Sequence, residues 1–178
     1  MGGLSYGRSK FAGSCREPRW HLRIVDHLLD TNILLRTVDA RASQHVTAKM
    51  AVTGLVLQGH RLLITAQTLI EFWAVVTRPI EANGLGWSCE RARQEIDEIQ
   101  KHFPLLPDSS SVLGEWIELV STARVIGKRT HDARLVAVML AHGVKHLLTF
   151  NAADFKSFET IVIVSPEAIV AKFLMPPF

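Results

Sequence analysis

The chain has 178 residues, 48% hydrophobic and 21% charged, with a formal charge of +3. That length suits one domain burying roughly 70% of its unfolded surface, and the apolar share excludes a largely disordered protein. The sequence has no uncharged apolar run of about 18 residues to span a bilayer. Its two cysteines, Cys15 and Cys89, are too few for a disulfide framework or a zinc ribbon. A reduced, cytoplasmic setting is therefore expected.

Residues 1–23 carry Arg8, Lys10, Arg16, Arg19 and Arg23 against Glu17 alone, a net +4, so the remainder carries −1. A polyanion partner cannot be argued from global charge, and any basic surface on the folded part must be local. Residues 1–21 hold four glycines and no apolar periodicity, and lack the apolar stretch of a secretory signal. They read as a flexible extension, residues 22–174 as the folded domain, and 175–178 as a short tail.

Order is expected from Leu22. Ile24 to Leu29 is a short apolar run suited to a buried strand, followed by the polar turn Asp30-Thr31-Asn32 and a helix start. Ser43 is placed to cap a helix over Gln44 to Gln58, closed by Gly59. Arg61 to Thr65 reads as a second strand. Ala66 to Val76 reads as a helix that Pro79 ends. After the loop Asn83 to Gly86, Ser88 caps a charged helix with the narrow apolar stripe Ile96 and Ile99. Phe103 to Leu106 suggests a third strand, Ser110 to Ala123 a helix, and Thr130 to Gly143 another. Lys145 to Phe150 and Thr160 to Val164 read as strands, and Ser165-Pro166-Glu167 starts a last helix. Alternating helices and short apolar strands imply an α/β fold with a mostly parallel sheet covered on both faces.

In such sheets ligands bind beyond the carboxyl ends of the strands. Asp30 follows the first strand, and Asn151 and Asp154 follow the strand ending at Phe150. Asp132 begins the stripe Asp132, Leu135, Val136, Met139, Leu140, so its carboxylate is expected on the inward face of a first helical turn. Glu71 lies within the apolar segment Leu69 to Val76 and must point outward or have a partner. Each acid alone has an ordinary structural explanation as a cap, a dipole partner or a solvent-facing side chain. Four converging carboxylates make sense only with a cation among them. Hard oxygen ligands select Mg²⁺ or Mn²⁺, which activates water and stabilises charge on a phosphodiester.

Four segments carry a resemblance: Leu28 to Leu35 (LLDTNILL), Thr68 to Trp73 with Glu71, His131 to Ala137 with Asp132, and Leu148 to Phe155 (LTFNAADF). Together and in this order they resemble the PIN-domain nucleases, and specifically VapC-like toxins of type II toxin–antitoxin pairs. The resemblance covers Ile24 to Phe173. It implies an α/β/α sandwich and an endoribonuclease dependent on Mg²⁺ (or Mn²⁺), with RNA as substrate. It also implies a homodimer and a small antitoxin that enters the active-site groove. Asp30, Glu71, Asp132 and Asp154 map onto the family's catalytic, metal-holding acids, and Thr149 and Asn151 onto supporting polar positions. Thr31 and Asn32 are placed to orient Asp30. Residues 1–23 have no family counterpart, and the stretch 79–108 is long for it.

Arg36, Lys128, Arg129 and Arg134 are candidate phosphate contacts, three of them flanking Asp132. His142 and His146 are four apart, but Gly143 interrupts their helix and argues against a zinc site. His131 beside Asp132 reads mainly as a helix-start residue, and Trp73, Trp87 and Trp116 read as packing residues rather than base-stacking platforms. Two other functions fit the same pattern. One is a non-catalytic PIN-like module binding RNA or protein, which the presence of all four acids disfavours. The other is a phosphohydrolase-type α/β domain built on Asp30, which Asn32 disfavours by standing where a second Asp would be wanted.

Overall fold

The computed structural model describes residues 24–174. The expectations for residues 1–21 and 175–178 lie outside the described residues. Five strands run parallel in the spatial order β3-β2-β1-β4-β5: β1 (Asp26–Leu29), β2 (Arg61–Thr65), β3 (Leu105–Leu106), β4 (His146–Leu148) and β5 (Val162–Val164). The helices are α1 (Thr31–Val38), α2 (His45–Leu57), α3 (Ala66–Thr77), α4 (Cys89–His102), α5 (Val112–Thr122), α6 (Arg129–Ala141) and α7 (Pro166–Leu174). Two short 3₁₀ turns, Ile80–Ala82 and Ala152–Phe155, complete the described elements.

Strand alternation builds two cores. Leu29, Leu62, Ile64 and Leu148 face one way and pack with Ile33, Leu34, Leu55, Phe72 and Val76 of α1–α3. Leu28, Leu63 and Leu147 face the other way and pack with Leu135, Val136 and Met139 of α6. A strand buried on both faces has no room for a polar alternate position, which is why these strands read as continuous apolar runs. Because β1 feeds leftward into β2 and β4 lies on its other side, the strand order reverses between β1 and β4. That is the crevice where open parallel sheets hold their ligands.

Three expectations are corrected. Ser43 does not cap α2. The N-cap is Gln44, without a side-chain cap bond, and His45 Nδ1 instead lies 2.8 Å from the Arg36 carbonyl oxygen. The strand expected over Lys145 to Phe150 is only His146–Leu148. Thr149 and Phe150 leave its end to serve Asn32 and Asp30. Helix α6 buries more than one stripe, because Val112, Trp116 and Leu119 of α5 cover Ala137 and Val138 on its back. Ser88 caps α4 as expected, its Oγ accepting from the Arg91 amide at 3.3 Å. No described helix is long and apolar enough to cross a membrane.

A carboxylate pocket at the strand-order reversal

The pocket begins where β1 ends. The Asp30 amide donates to Leu148 O at 3.1 Å, clipping the two central strand ends together. Asp30 is the N-cap residue of α1, and its side chain makes no regular cap hydrogen bond. Its Oδ2 accepts instead from Asn32 Nδ2 at 2.7 Å and from Thr149 Oγ1 at 2.6 Å. Its carboxylate therefore does more than serve the start of α1, and Oδ1 is the oxygen that no side chain engages.

Thr149 is fully buried and works in three directions. Besides donating to Asp30, its Oγ1 accepts from Asn32 Nδ2 at 3.0 Å and from the Asn151 amide at 2.9 Å. Asn32 Oδ1 accepts from the Phe150 amide at 3.2 Å, which ties the start of α1 to the end of β4. Asn151 thus contributes its backbone, with its side chain exposed. Burial raises the pKa of Asp30, and the negative charge of Glu71 raises it further. The Thr149 hydroxyl and the amides of Thr31 and Asn32 pull it down.

Glu71 has the partners that its apolar segment demanded. Thr31 Oγ1 donates to its Oε2 at 2.7 Å and Gln67 Nε2 to its Oε1 at 2.8 Å. Asp132 sits in the first turn of α6. Its pKa is pushed up to about 6, first by burial and then by the charges of Asp154, Asp30 and Glu71, against a smaller opposing effect of Arg129. All three other acids therefore reach Asp132 through space. Asp154, exposed on the Ala152–Phe155 turn, completes the group. Among the described residues, no three carboxylate, imidazole or thiol groups form a ready-made metal cage. The four acids share a field rather than a closed shell.

The basic candidates divide. Lys128 lies exposed at the start of α6. Arg129 Nη2 donates to Ser157 Oγ at 2.5 Å and to the Asp154 carbonyl at 3.3 Å. Arg36 donates to Gln44 Oε1 at 3.2 Å. Arg134 is engaged by Asp108 at 2.9 Å and Gln67 at 3.1 Å. His131 is exposed and lends the pocket only its carbonyl, which accepts from Gln67 at 2.9 Å. His142 Nε2 lies 2.8 Å from Pro107 O, while His146 packs beside His27. Trp116 donates to Thr130 O at 2.9 Å, and Trp87 packs edge-on to Phe72 beneath Arg91. The residue that sequence reasoning missed is Gln67. Its i, i+4 spacing from Glu71 on one helix face was the available signal.

The family model for the PIN domain matches residues 27–160. Ribonuclease VapC24 of Mycobacterium tuberculosis is 28% identical over 135 residues, covering 73% of this chain and 89% of that protein. Among solved structures, VapBC2 from Rickettsia felis bound to a promoter DNA fragment superposes with a TM-score of 0.61 at 16% identity. It covers 79% of this chain and 98% of its own. VapC20 of M. tuberculosis, a sarcin–ricin-loop-cleaving toxin, does so with a TM-score of 0.51 at 17% identity, covering 68% and 86%. The parallel five-stranded sheet with helices on both faces is the fold these structures share. With the acids of all four motifs gathered at its strand-order reversal and the family model spanning most of its length, this chain belongs to the PIN-domain family.

Proposed function

We infer that this chain is a metal-dependent endoribonuclease that hydrolyses RNA phosphodiester bonds, acting in the cytoplasm as the toxin of a toxin–antitoxin pair. The observation that carries this reading is the hydrogen-bonded network that brings the acids together: Thr149 holds Asp30, Thr31 holds Glu71, and Gln67 ties Glu71 to the carbonyl immediately before Asp132. Arg129 and Arg134, which flank that residue in sequence, direct their guanidinium groups to Ser157 and Asp108. The donor set fits Mg²⁺ or Mn²⁺, since every candidate ligand atom is a hard oxygen and Asp30 keeps one oxygen clear of side-chain donors.

Asp30 and Asp132 would hold the ion, with Asp154 and Glu71 on its waters or on a second cation. When bound, such an ion supplies an activated water and stabilises charge on the phosphoryl oxygens. The chain's own residues do the rest. Thr149 and Asn32 hold the Asp30 carboxylate in one orientation and favour its ionised form. Thr31 holds one oxygen of the Glu71 carboxylate by donating to it. Lys128, exposed at the start of α6 four residues before Asp132, contacts the RNA backbone and contributes affinity rather than sequence choice. A toxin–antitoxin complex from Klebsiella pneumoniae shares this fold, and we extend an antitoxin partner, and a homodimeric state, to this chain.

The test is an end-labelled RNA oligonucleotide incubated with wild type and Asp30→Asn, in Mg²⁺, in Mn²⁺ and in EDTA. Cleavage by wild type in either metal, with loss in EDTA and in the variant, is expected. Undiminished cleavage by Asp30→Asn would refute the assignment. Binding of RNA without cleavage under every condition would favour a non-catalytic module instead.

A further inference from the structure

We propose that Gln67 is a positioning residue for Glu71, that the Arg134–Asp108 pair fixes Gln67 in turn, and that Arg134 serves this relay rather than a substrate phosphate. The proposal rests on the ribonuclease reading above.

Gln67 lies in the first turn of α3 and is only 9% exposed. Three of its hydrogen-bonding positions are used. Its Oε1 accepts from Arg134 Nη1 at 3.1 Å, and its Nε2 donates to Glu71 Oε1 at 2.8 Å and to His131 O at 2.9 Å. The end-for-end orientation of an amide is fixed by such neighbours. A guanidinium only donates, while a carboxylate and a carbonyl only accept. One orientation of Gln67 satisfies all three partners, and the flipped one satisfies none.

Arg134 is held in place from the far side. Its Nη2 donates to both Asp108 oxygens, at 3.0 and 2.9 Å. A continuous run of hydrogen bonds therefore leads from Asp108 ahead of α5, through Arg134 of α6 and Gln67 of α3, to Glu71 and on to Thr31 beside Asp30. The relay bridges the two helical layers. Because Gln67 grips both Glu71 and the carbonyl immediately before Asp132, it sets the separation of two acids that belong to opposite faces of the sheet. Partners of this outer kind typically change metal affinity or activity 10- to 100-fold when removed.

The two roles for Arg134 give opposite results. The full chain is compared as wild type, Gln67→Met, Arg134→Met, the double variant and Asp108→Asn. The readouts are Mn²⁺ affinity by electron paramagnetic resonance without RNA, kcat and KM on an RNA oligonucleotide across a salt series, and the urea midpoint. Gln67→Met is expected to weaken Mn²⁺ binding and lower kcat about 10- to 100-fold, with the salt dependence of KM unchanged. Arg134→Met is expected to move both in the same direction by less, and to add nothing in the Gln67→Met background. Asp108→Asn, at an exposed site where folding is secure, follows with a few-fold effect.

Wild-type Mn²⁺ affinity in Gln67→Met overturns the relay. So does an Arg134→Met variant that raises KM, lowers the salt slope by about one and adds fully to Gln67→Met, because that is the signature of a phosphate contact. If Gln67→Met fails to fold, Asp108→Asn decides the matter, and wild-type Mn²⁺ affinity there also overturns the relay. A wild type that binds Mn²⁺ but cuts no RNA sinks the ribonuclease reading alone, while the Mn²⁺ comparison still decides the relay.

Discussion

Replacing Asp132 with Asn should make the metal-free protein more stable at pH 7 while abolishing cleavage. The carboxylate has its pKa raised from the ordinary 3.8 to about 6, by burial first and then by Asp154, Asp30 and Glu71. A carboxyl whose folded pKa is raised contributes stability below its unfolded value, and that contribution is lost as pH climbs from about 4 through about 6. At 1.36 kcal/mol per pH unit the gap corresponds to about 3 kcal/mol. Asp132 is only half-buried, so solvent screening brings the expected penalty at pH 7 down to about 1–2 kcal/mol. The amide carries no charge to repel, and no hydrogen bond of the Asp132 carboxylate is lost in the exchange. Urea unfolding in EDTA should show the variant ahead at pH 7, the advantage vanishing near pH 4, and Tm higher by about 2–4 °C per kcal/mol. Adding Mg²⁺ should close or reverse the gap, because the ion stabilises only the chain that binds it. A wild type as stable as the variant at pH 7 without metal would show that neither burial nor the neighbouring acids burden the Asp132 carboxylate.

Thr149→Val keeps the buried shape but removes the donor to Asp30. Urea unfolding should record a loss of about 1.5–3 kcal/mol for this hydrogen bond to a charged group, together with reduced RNA cleavage, whereas an unchanged midpoint would place the hydroxyl outside the network. His27 should make wild-type stability fall as pH drops from 6.5 toward 4. Burial, with the charges of His146 and His60 behind it, depresses the His27 pKa to about 4 against a favourable bond to Val25 O, so the unfolded chain takes up the proton first. The full effect is on the order of 3 kcal/mol, and His27→Phe should abolish it; an equal acid response in that variant would locate the sensitivity elsewhere. Lys128→Ala should weaken RNA binding and lower its salt slope by about one without altering Mn²⁺ affinity, and a filter-binding series across salt would contradict this if the slope stayed put.

The physics explains which features the sequence displayed. Arg61–Thr65 was legible to the residue because a strand buried on both faces must be a continuous apolar run. Asp30 stood out as a candidate because it directly follows such a run, and the structure places its carboxylate against Asn32 and Thr149. Lys145 to Phe150 looked like one strand because apolarity alone cannot show where pairing stops, and here the chain departs at Thr149 to reach Asn32, a partner 117 residues away. The back face of α6 was under-read because a helix covered on two sides shows no single stripe, so only the one starting at Asp132 stood out. The basic flank of Asp132 suggested phosphate contacts, since nothing local reveals that Arg134 is held by Asp108, 26 residues before it, and by Gln67, 67 residues before it. Local pattern thus exposes residues fixed by strand ends, and hides those fixed by partners from distant elements.

The central claim is that Asp30, Glu71, Asp132 and Asp154 serve one divalent cation site. Crystals soaked in Mn²⁺ and measured for anomalous scattering test it directly. A peak is expected in the crevice between the ends of β1 and β4, within coordination distance of Asp30 and Asp132, and absent from crystals of Asp30→Asn. Peaks only elsewhere on the molecule, or an empty crevice at saturating Mn²⁺, would contradict it.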